Sequence, residues 1–327
     1  MISLKSKIAR IVKSIVYKSG LDGLKRRFLP NTTPVIVRYH SVCSESRLIS
    51  AGIRISPEAF EEQVAYFSKY FQVITMDHLI DAIKQRKTFP KNALVFTFDD
   101  GYADNLGAAK TLKRHGLTGL FYITAGCIET DEAFWVAEVR HLIENTNKKE
   151  MTLSLPDGEK SIPLSNPSES EQAIKKMTRL FKSVTIETRG NIRKAFRLAL
   201  NDVPMFPKDL MLNWRQLKEM LEMGMEIGGH TMTHPNLPSA TRDEAQIEIE
   251  GCKSLLETRL KTKVDHFAYP NGGSVAHFDD KTKDLLQEAG FQSATTSKAG
   301  KPDFESDLFE IRRMRATENL SEMLWEF

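Results

Sequence analysis

With 327 residues, 41% of them hydrophobic and 27% charged, the chain has the material for one large α/β barrel or two smaller domains, and none of the bias of a disordered or fibrous protein. Its three cysteines, Cys43, Cys127 and Cys252, are odd in number, far apart and without a CxxC pair, which argues against a disulfide framework or a cysteine zinc site. Residues 1–28 hold eight Lys or Arg against Asp22 alone, a local +7 in a chain of net +3, so the rest carries −4 and nucleic-acid binding is not expected.

Residues 1–30 read as a basic amphipathic segment, followed by one catalytic-type domain over 31–327. The apolar residues Leu4, Ile8, Ile11, Val12 and Ile15 recur at helical spacing with lysines between them. Charges interrupt them too often for a secretory signal or a membrane span. Two readings stay open: a helix lying on an anionic membrane surface through residues 1–28, or a helix packed on the domain with a solvated basic face. With no signal, the expected location is cytoplasmic, at the inner face of the membrane.

Pro34 to His40 reads as the first core strand, ending in Tyr39-His40. Residues 57 to 70 read as a helix capped by Ser56, Phe71 to Thr75 as a short strand and Asp77 to Gln85 as a helix. Leu94 to Phe98 is an unbroken apolar run, the mark of a strand buried on both faces. It ends in Asp99-Asp100-Gly101-Tyr102, two carboxylates that are costly there unless something positive lies beside them. Asp104 to His115 is helical and closed by Gly116, and Thr118 to Thr124 is the next strand. Strands alternating with helices predict βαβ units and a barrel or doubly wound sheet.

Residues 130 to 210 break that rhythm. A hairpin over 151–164, turning at Pro156-Asp157-Gly158, precedes helical patterns, so the stretch reads as an insertion with a helical cap. Trp135 opens it and Trp214 follows it, and each is a candidate for stacking on a sugar or for core packing. Leu217 to Met223 is helical, Met225 to His230 a strand, Arg242 to Leu260 a long helix and Val264 to Pro270 a strand. Asp280 to Ala289 is a helix closed by Gly290, Phe291 to Thr296 a strand, and Leu308 to Met314 is a candidate last strand.

His230 and His234, four apart after a short strand and two glycines, can converge on one ion either from a helix face or from a tight turn. Two imidazoles and one carboxylate make a three-donor site for a divalent metal with positions left for water and substrate.

Thr97-Phe98-Asp99-Asp100-Gly101 and His230-Thr231-Met232-Thr233-His234 resemble the first two motifs of the polysaccharide deacetylases with a NodB-homology domain, carbohydrate esterase family 4. Phe267-Ala268-Tyr269-Pro270-Asn271-Gly272 is similar to the third motif in the branch related to intercellular-adhesin deacetylases. The resemblance implies a distorted (β/α) barrel of about seven parallel strands, and hydrolysis of the N-acetyl group of an N-acetylhexosamine. It implies Asp100, His230 and His234 as ligands of a divalent metal, zinc first, with cobalt, nickel or manganese as the other candidates. It implies Asp99 as general base and the backbone N–H of Tyr269 as a donor to the oxyanion. Tyr102, Pro270 and Asn271, in or beside the motifs, are candidate substrate contacts.

Two departures stand out. The family's arginine in the third motif is missing, and Arg313 is the candidate to fill its space. Its C-terminal histidine has no counterpart after His277, and His40 is the candidate general acid. The expected substrate is a polysaccharide or its lipid-linked precursor. The competing readings are a deacetylase or esterase of a small or nucleotide-linked sugar, and a carbohydrate-binding relative without activity.

Overall fold

The computed structural model describes residues 4–44, 48–130, 133–155, 158–204, 206, 209–273 and 275–327. Eight parallel strands form its main sheet: β1 (Val35–Tyr39), β2 (Gln72–Val73), β3 (Ala93–Phe98), β4 (Leu120–Ile123), β5 (Glu226–Gly229), β6 (His266–Ala268), β7 (Ser293–Thr295) and β8 (Met314–Arg315). Seven follow the order β7-β6-β5-β4-β3-β1-β8, while β2 pairs with the first residues of β3, ahead of β4 on the same side. The segment before β8 closes the ring: Ile311 N–H donates to Ala294 O, Thr296 N–H donates to Ile311 O, and Met314 lies opposite Val37. This is the distorted parallel barrel that the family resemblance implies, and one of the two arrangements that the alternation of elements left open.

The physical reason lies in β3, where all six residues are buried. Its side chains serve two cores. Phe96 and Phe98 face a cluster in which Phe98 stacks on Phe121 at 4.3 Å and on Tyr39 at 5.1 Å, while Val95 packs with Ile36, Leu79 and Ile80. A strand covered on both faces requires helices outside it, and Pro57–Tyr70 and Arg242–Leu260 form with the caps their sequences imply. Ser56 accepts from Ala59 N–H, and Thr241 makes a capping box with Glu244. All strands being parallel, their C-terminal ends share one end of the barrel, and there Asp99-Asp100 and His230 emerge.

Between β4 and β5, a helix over Trp135–Asn145, a hairpin of Glu150–Leu155 with Gly158–Pro163, and helices over Pro167–Lys182 and Ile186–Ala199 surround a separate apolar cluster. Of the predicted turn, Pro156 and Asp157 lie outside the described residues. The N-terminal region forms two helices, α1 (Leu4–Lys18) and α2 (Leu21–Phe28), parted at Gly20 with φ 75°; the side chains of residues 4–9 lie outside the described set.

Both helices rest on the flank and base of the barrel. Tyr17 Oη donates to Glu62 (2.8 Å), Arg10 pairs with Glu322 (2.6 Å), and the buried Arg26 pairs with Asp22 (2.8 Å) and donates to Leu324 O (2.9 Å). Their outward ridges are apolar: Ile11, Ile15, Leu21, Leu24, Phe28 and Leu29 are all more than half exposed. No helix among the described residues is long and apolar enough to cross a membrane.

Candidate functional site

Where β3 ends, the chain turns through two successive left-handed residues, Asp100 (φ 78°) and Gly101 (φ 85°). Aspartate tolerates that conformation better than most side chains, and the turn aims its carboxylate into the barrel mouth. After β5, residues 230–234 form a turn rather than a helix, with Thr231 at φ 67° and His234 at φ 55°. A β-branched residue in the left-handed region is strained, and such strain persists only where neighbours over-determine it.

The neighbours do so here. The carbonyls of Thr231 and Met232 accept from the N–H groups of Ala125 and Gly126 (3.0 and 2.9 Å). The N–H groups of Met232 and Thr233 donate to the buried carboxylate of Glu248 (2.8 and 2.7 Å), and Thr231 Oγ1 accepts from His234 N–H (3.0 Å). Gly126 is needed for the approach, since a Cβ there would lie 2.6 Å from Met232 O.

The turn brings His230 Nε2 and His234 Nε2 each to 3.3 Å from Asp100 Oδ1. Donor atoms 2.0–2.1 Å from a tetrahedral metal stand about 3.3 Å apart, so the spacing fits a shared ion. The tautomer fits as well. His230 Nδ1 lies 2.7 Å from Ala268 O, which can only accept, so that nitrogen carries the proton and Nε2 keeps its lone pair for a ligand. Burial alone would raise Asp100, but its bonds to His230 and His234 hold it well below the usual carboxylate range. Burial lowers His234 to about 4 against the pull of Asp100. At neutral pH Asp100 is thus ionised and His234 neutral, as ligands must be.

Among the described residues one other group of donors converges, Asp77, Glu226 and His266. There both ring nitrogens of His266 are engaged, with Ser293 Oγ (2.9 Å) and Asp77 Oδ1 (3.0 Å), so no lone pair remains for an ion.

Asp99 sits beside this centre, gripped by Arg313 through two bonds of 2.7 Å. Arg313 is itself buried and donates to Thr97 Oγ1 (3.2 Å) and Thr296 O (3.0 Å). Burial raises Asp99, but the charge and hydrogen bonds of Arg313, with His40, outweigh it and bring it to about 2. His40 Nε2 is 3.8 Å from Asp99 Oδ2, and burial lowers His40 to about 4, against the pull of Asp100 and Asp99.

One cavity of about 310 Å³ is lined by His40, Asp99, Asp100, His230, His234, Tyr269 and Asn271. The structure therefore brings together most of the sequence candidates. Arg313 lies beneath them rather than in the cavity wall. Pro270 is buried in the turn that carries Asn271, whose Nδ2 donates to Pro235 O (2.9 Å). Tyr102 is buried near Asp100 and borders an adjoining cavity.

Three expectations are corrected. The N–H of Tyr269 is not free for an oxyanion: it donates to Thr295 O (3.1 Å), because the β6–β7 ladder runs one residue past Ala268. Trp135 does not face the cavity. It is 1% exposed, and its indole N–H donates to His234 O (2.9 Å), so it supports the histidine turn from behind. Trp214 is buried in the barrel core under the guanidinium of Arg259, 4.8 Å from the ring, and away from the cavity.

Sequence reasoning missed Glu248, sixteen and fifteen residues beyond the backbone groups it holds. It missed Arg189, which reaches from the insertion to Thr233 Oγ1 (2.5 Å), and Arg38, a cation inside an apolar strand that lines the cavity. Of these only Arg38 carried a local signal, a charge where the strand pattern demands an apolar residue.

A family model described as polysaccharide deacetylase matches residues 86–294. Over 110 residues the chain is 24% identical to the putative polysaccharide deacetylase YxkH of Bacillus subtilis (strain 168), a match covering 34% of this chain and 38% of that protein. The chain thus aligns with well under half the length of that curated relative. The solved structure of Streptococcus pyogenes deacetylase PplD in complex with acetate superposes with a TM-score of 0.61 at 18% identity, over 91% of this chain and 98% of that one. IcaB from Ammonifex degensii gives 0.57 at 19% identity, over 91% and 98%. At such identities the likeness to both structures is one of fold.

Proposed function

The chain belongs to the polysaccharide deacetylase family, and from that premise we propose that it is a metal-dependent hydrolase. It removes N-acetyl groups from an N-acetylhexosamine-containing polysaccharide or its lipid-linked precursor. The observation that carries this reading is the pair of 3.3 Å contacts joining Asp100 to His230 and His234, with the ionised Asp99 in the same cavity. A divalent ion, zinc first, held by Asp100 and the two Nε2 atoms would acidify water and polarise the acetamide carbonyl.

The chain's own groups do the rest. Arg313 keeps Asp99 ionised and fixed, and Asp99 accepts the proton of the attacking water. A carboxylate near pKa 2 is a weak base, so the proton needs a better holder. His40, neutral at pH 7 and 3.8 Å from the same carboxylate, takes it and delivers it to the departing nitrogen. Asn271 and Tyr269, both in the cavity lining, orient the sugar.

The test is acetate release from N-acetylglucosamine oligomers, with and without chelator and added zinc. Metal-dependent release that disappears in Asp99→Asn supports the reading. Release indifferent to chelator, or retained in Asp99→Asn, refutes it. A second reading, a deacetylase or esterase of a small or nucleotide-linked sugar, is favoured by the cavity's volume, at the small end of the range of about 300–1,000 Å³ for ligand sites. Turnover independent of oligomer length would select it.

The reading includes peripheral contact with the inner face of the membrane. Among the described residues, eight of the ten exposed large hydrophobic side chains lie on α1, α2, the residue after α2 and the C-terminal helix, the last contributing Trp325. Lys13, Lys18, Lys25 and Arg27 lie among them, and Lys13 Nζ stands 5.8 Å from the Trp325 ring. Apolar ridges edged with cations suit an anionic bilayer, whereas a second copy would bring the same cations face to face. Co-sedimentation with phosphatidylglycerol vesicles but not phosphatidylcholine vesicles, lost in Ile15→Glu/Phe28→Glu, is expected; a dimer that the same substitutions dissociate would replace the bilayer by a second copy.

A further inference from the structure

The cavity holds more positive charge than the proposed hydrolysis uses. Arg38 on β1 and Arg315 on β8 lie directly opposite each other in the parallel register, and both line the cavity wall. Like charges side by side across a sheet repel. Among the described residues no carboxylate lies within 4.0 Å of either guanidinium, or of the Lys182 ammonium that lines the same cavity from the end of the Pro167–Lys182 helix. Arg38 Nε is buried with no hydrogen-bond partner at all.

The two aspartates nearby attract Arg38, and Asp100 attracts Lys182, only through space, without contact. Both oxygens of Asp99 are taken by Arg313, and Asp100 is turned to the two histidines. Lys182 also borders the adjoining cavity, where Arg179, a turn earlier on the same helix, is likewise without a carboxylate within 4.0 Å among the described residues. Among the described residues, a row of cations from the barrel mouth along that helix thus has no carboxylate within 4.0 Å. An arginine donor stripped of water and left unpaired is costly in the free protein, and a ligand that supplies the missing acceptor recovers that cost on binding.

We infer that the substrate carries an oxyanion, a phosphate or a carboxylate, on or next to the acetylated sugar, and that Arg38, Arg315 and Lys182 bind it. The inference rests on the deacetylase reading and narrows its substrate class to acidic amino sugars. Arg38 and Arg315 reach the anion from the strand side of the cavity, and Lys182 meets it from the insertion. With the anion fixed there, the acetamide beside it lies over Asp99, Asp100 and the histidines.

The test has a kinetic arm and a binding arm. In the first, N-acetylglucosamine 1-phosphate, an N-acetylated hexosaminuronic acid and methyl N-acetylglucosaminide are compared in the zinc-loaded enzyme. At least one acidic sugar is expected to exceed the neutral glycoside about tenfold or more in kcat/KM, and preference for phosphate or for carboxylate tells the two sources apart. Lys182→Gln and Arg38→Gln should each lower kcat/KM for the acidic sugar about tenfold and leave the neutral one within about twofold.

In the binding arm, calorimetry with N-acetylglucosamine 1-phosphate, and with inorganic phosphate as the bare anion, is run on wild type, Lys182→Gln and Arg315→Gln. Weaker binding in both variants supports the subsite. Equal turnover of neutral and acidic sugars, or variants that weaken both alike, overturns it. If no sugar is hydrolysed but the acidic one binds through these residues, the deacetylase reading fails while the anion subsite stands. If neither acidic sugar binds or reacts, the subsite itself is refuted.

Discussion

Glu248 is the residue whose removal should reveal how the histidine turn is held. Its carboxylate accepts from Met232 N–H at 2.8 Å and Thr233 N–H at 2.7 Å, and its charge is the strongest attraction on the buried Arg189. An unsatisfied buried donor costs about 1–3 kcal/mol. Met232 and Thr233 are partly exposed, so water can reach them and the low end applies, about 1 kcal/mol for each N–H. Leaving Arg189 without the attraction of Glu248 adds about 1 kcal/mol more, well below the full cost of breaking a contact ion pair. Glu248→Ala is therefore expected to lose about 3 kcal/mol in urea unfolding of the metal-free protein, and Glu248→Gln, which keeps one acceptor, about half of that.

The same change should loosen the positions of His230 and His234. Zinc affinity, measured by competition with a chromophoric chelator, is expected to fall about 10–100-fold, the usual cost of losing a group that orients ligands. Wild-type zinc affinity together with a stability loss below about 1 kcal/mol would refute the argument. It would mean that the contacts of Ala125 and Gly126 hold the turn without help from the helix.

Three further outcomes are expected. Gly126→Ala places a Cβ against Met232 O, and should cost about 1–3 kcal/mol and weaken zinc binding, whereas Gly107→Ala, in open space on a helix, should not destabilise; calorimetry of the two variants compares them. Asp99 titrates near 2 in the fold against an ordinary 3.8, so its pair with Arg313 stabilises fully above about pH 4 and loses that contribution as the pH falls toward 2. Arg313→Met should accordingly be less stable by about 3–5 kcal/mol at pH 7, with the gap narrowing below pH 4; a gap in urea midpoints that does not change with pH would sink the assignment. Zinc at a hundred times its dissociation constant should stabilise the wild type by about 2.7 kcal/mol and Asp100→Ala hardly at all, read by thermal unfolding.

Much of this was legible in the sequence because its signals were local. The apolar run of β3 ending in Asp99-Asp100, the Ser56 cap and the spacing of His230 and His234 are each read within a few residues, and the structure places them accordingly. What sequence could not show depends on register and on long-range contact. Tyr269 N–H is consumed because Ala268 happens to lie opposite Thr295. Glu248 reads as one more acid in an amphipathic helix until that helix is laid against the turn. Gly20, by contrast, was a readable signal: it splits what one periodic pattern made a single N-terminal helix. Residue type alone left Trp135 open between sugar platform and core packing, and the insertion's core and the carbonyl of His234 decide where it lies.

The insertion meets the histidine turn at both of its ends. Trp135 holds the carbonyl of His234, Arg189 holds Thr233, and just past the turn Ser239 Oγ donates to Lys182 O (2.9 Å). Because these ties come from the first, third and fourth elements of a unit with its own apolar cluster, the unit cannot open as a whole while the turn stays shut. The two should behave as one cooperative segment in hydrogen exchange. Amides of the Trp135–Asn145 and Ile186–Ala199 helices would then share an opening free energy with those of 231–234, and an ion bound to the histidines would slow exchange in both helices, in a part of the chain that supplies it no ligand.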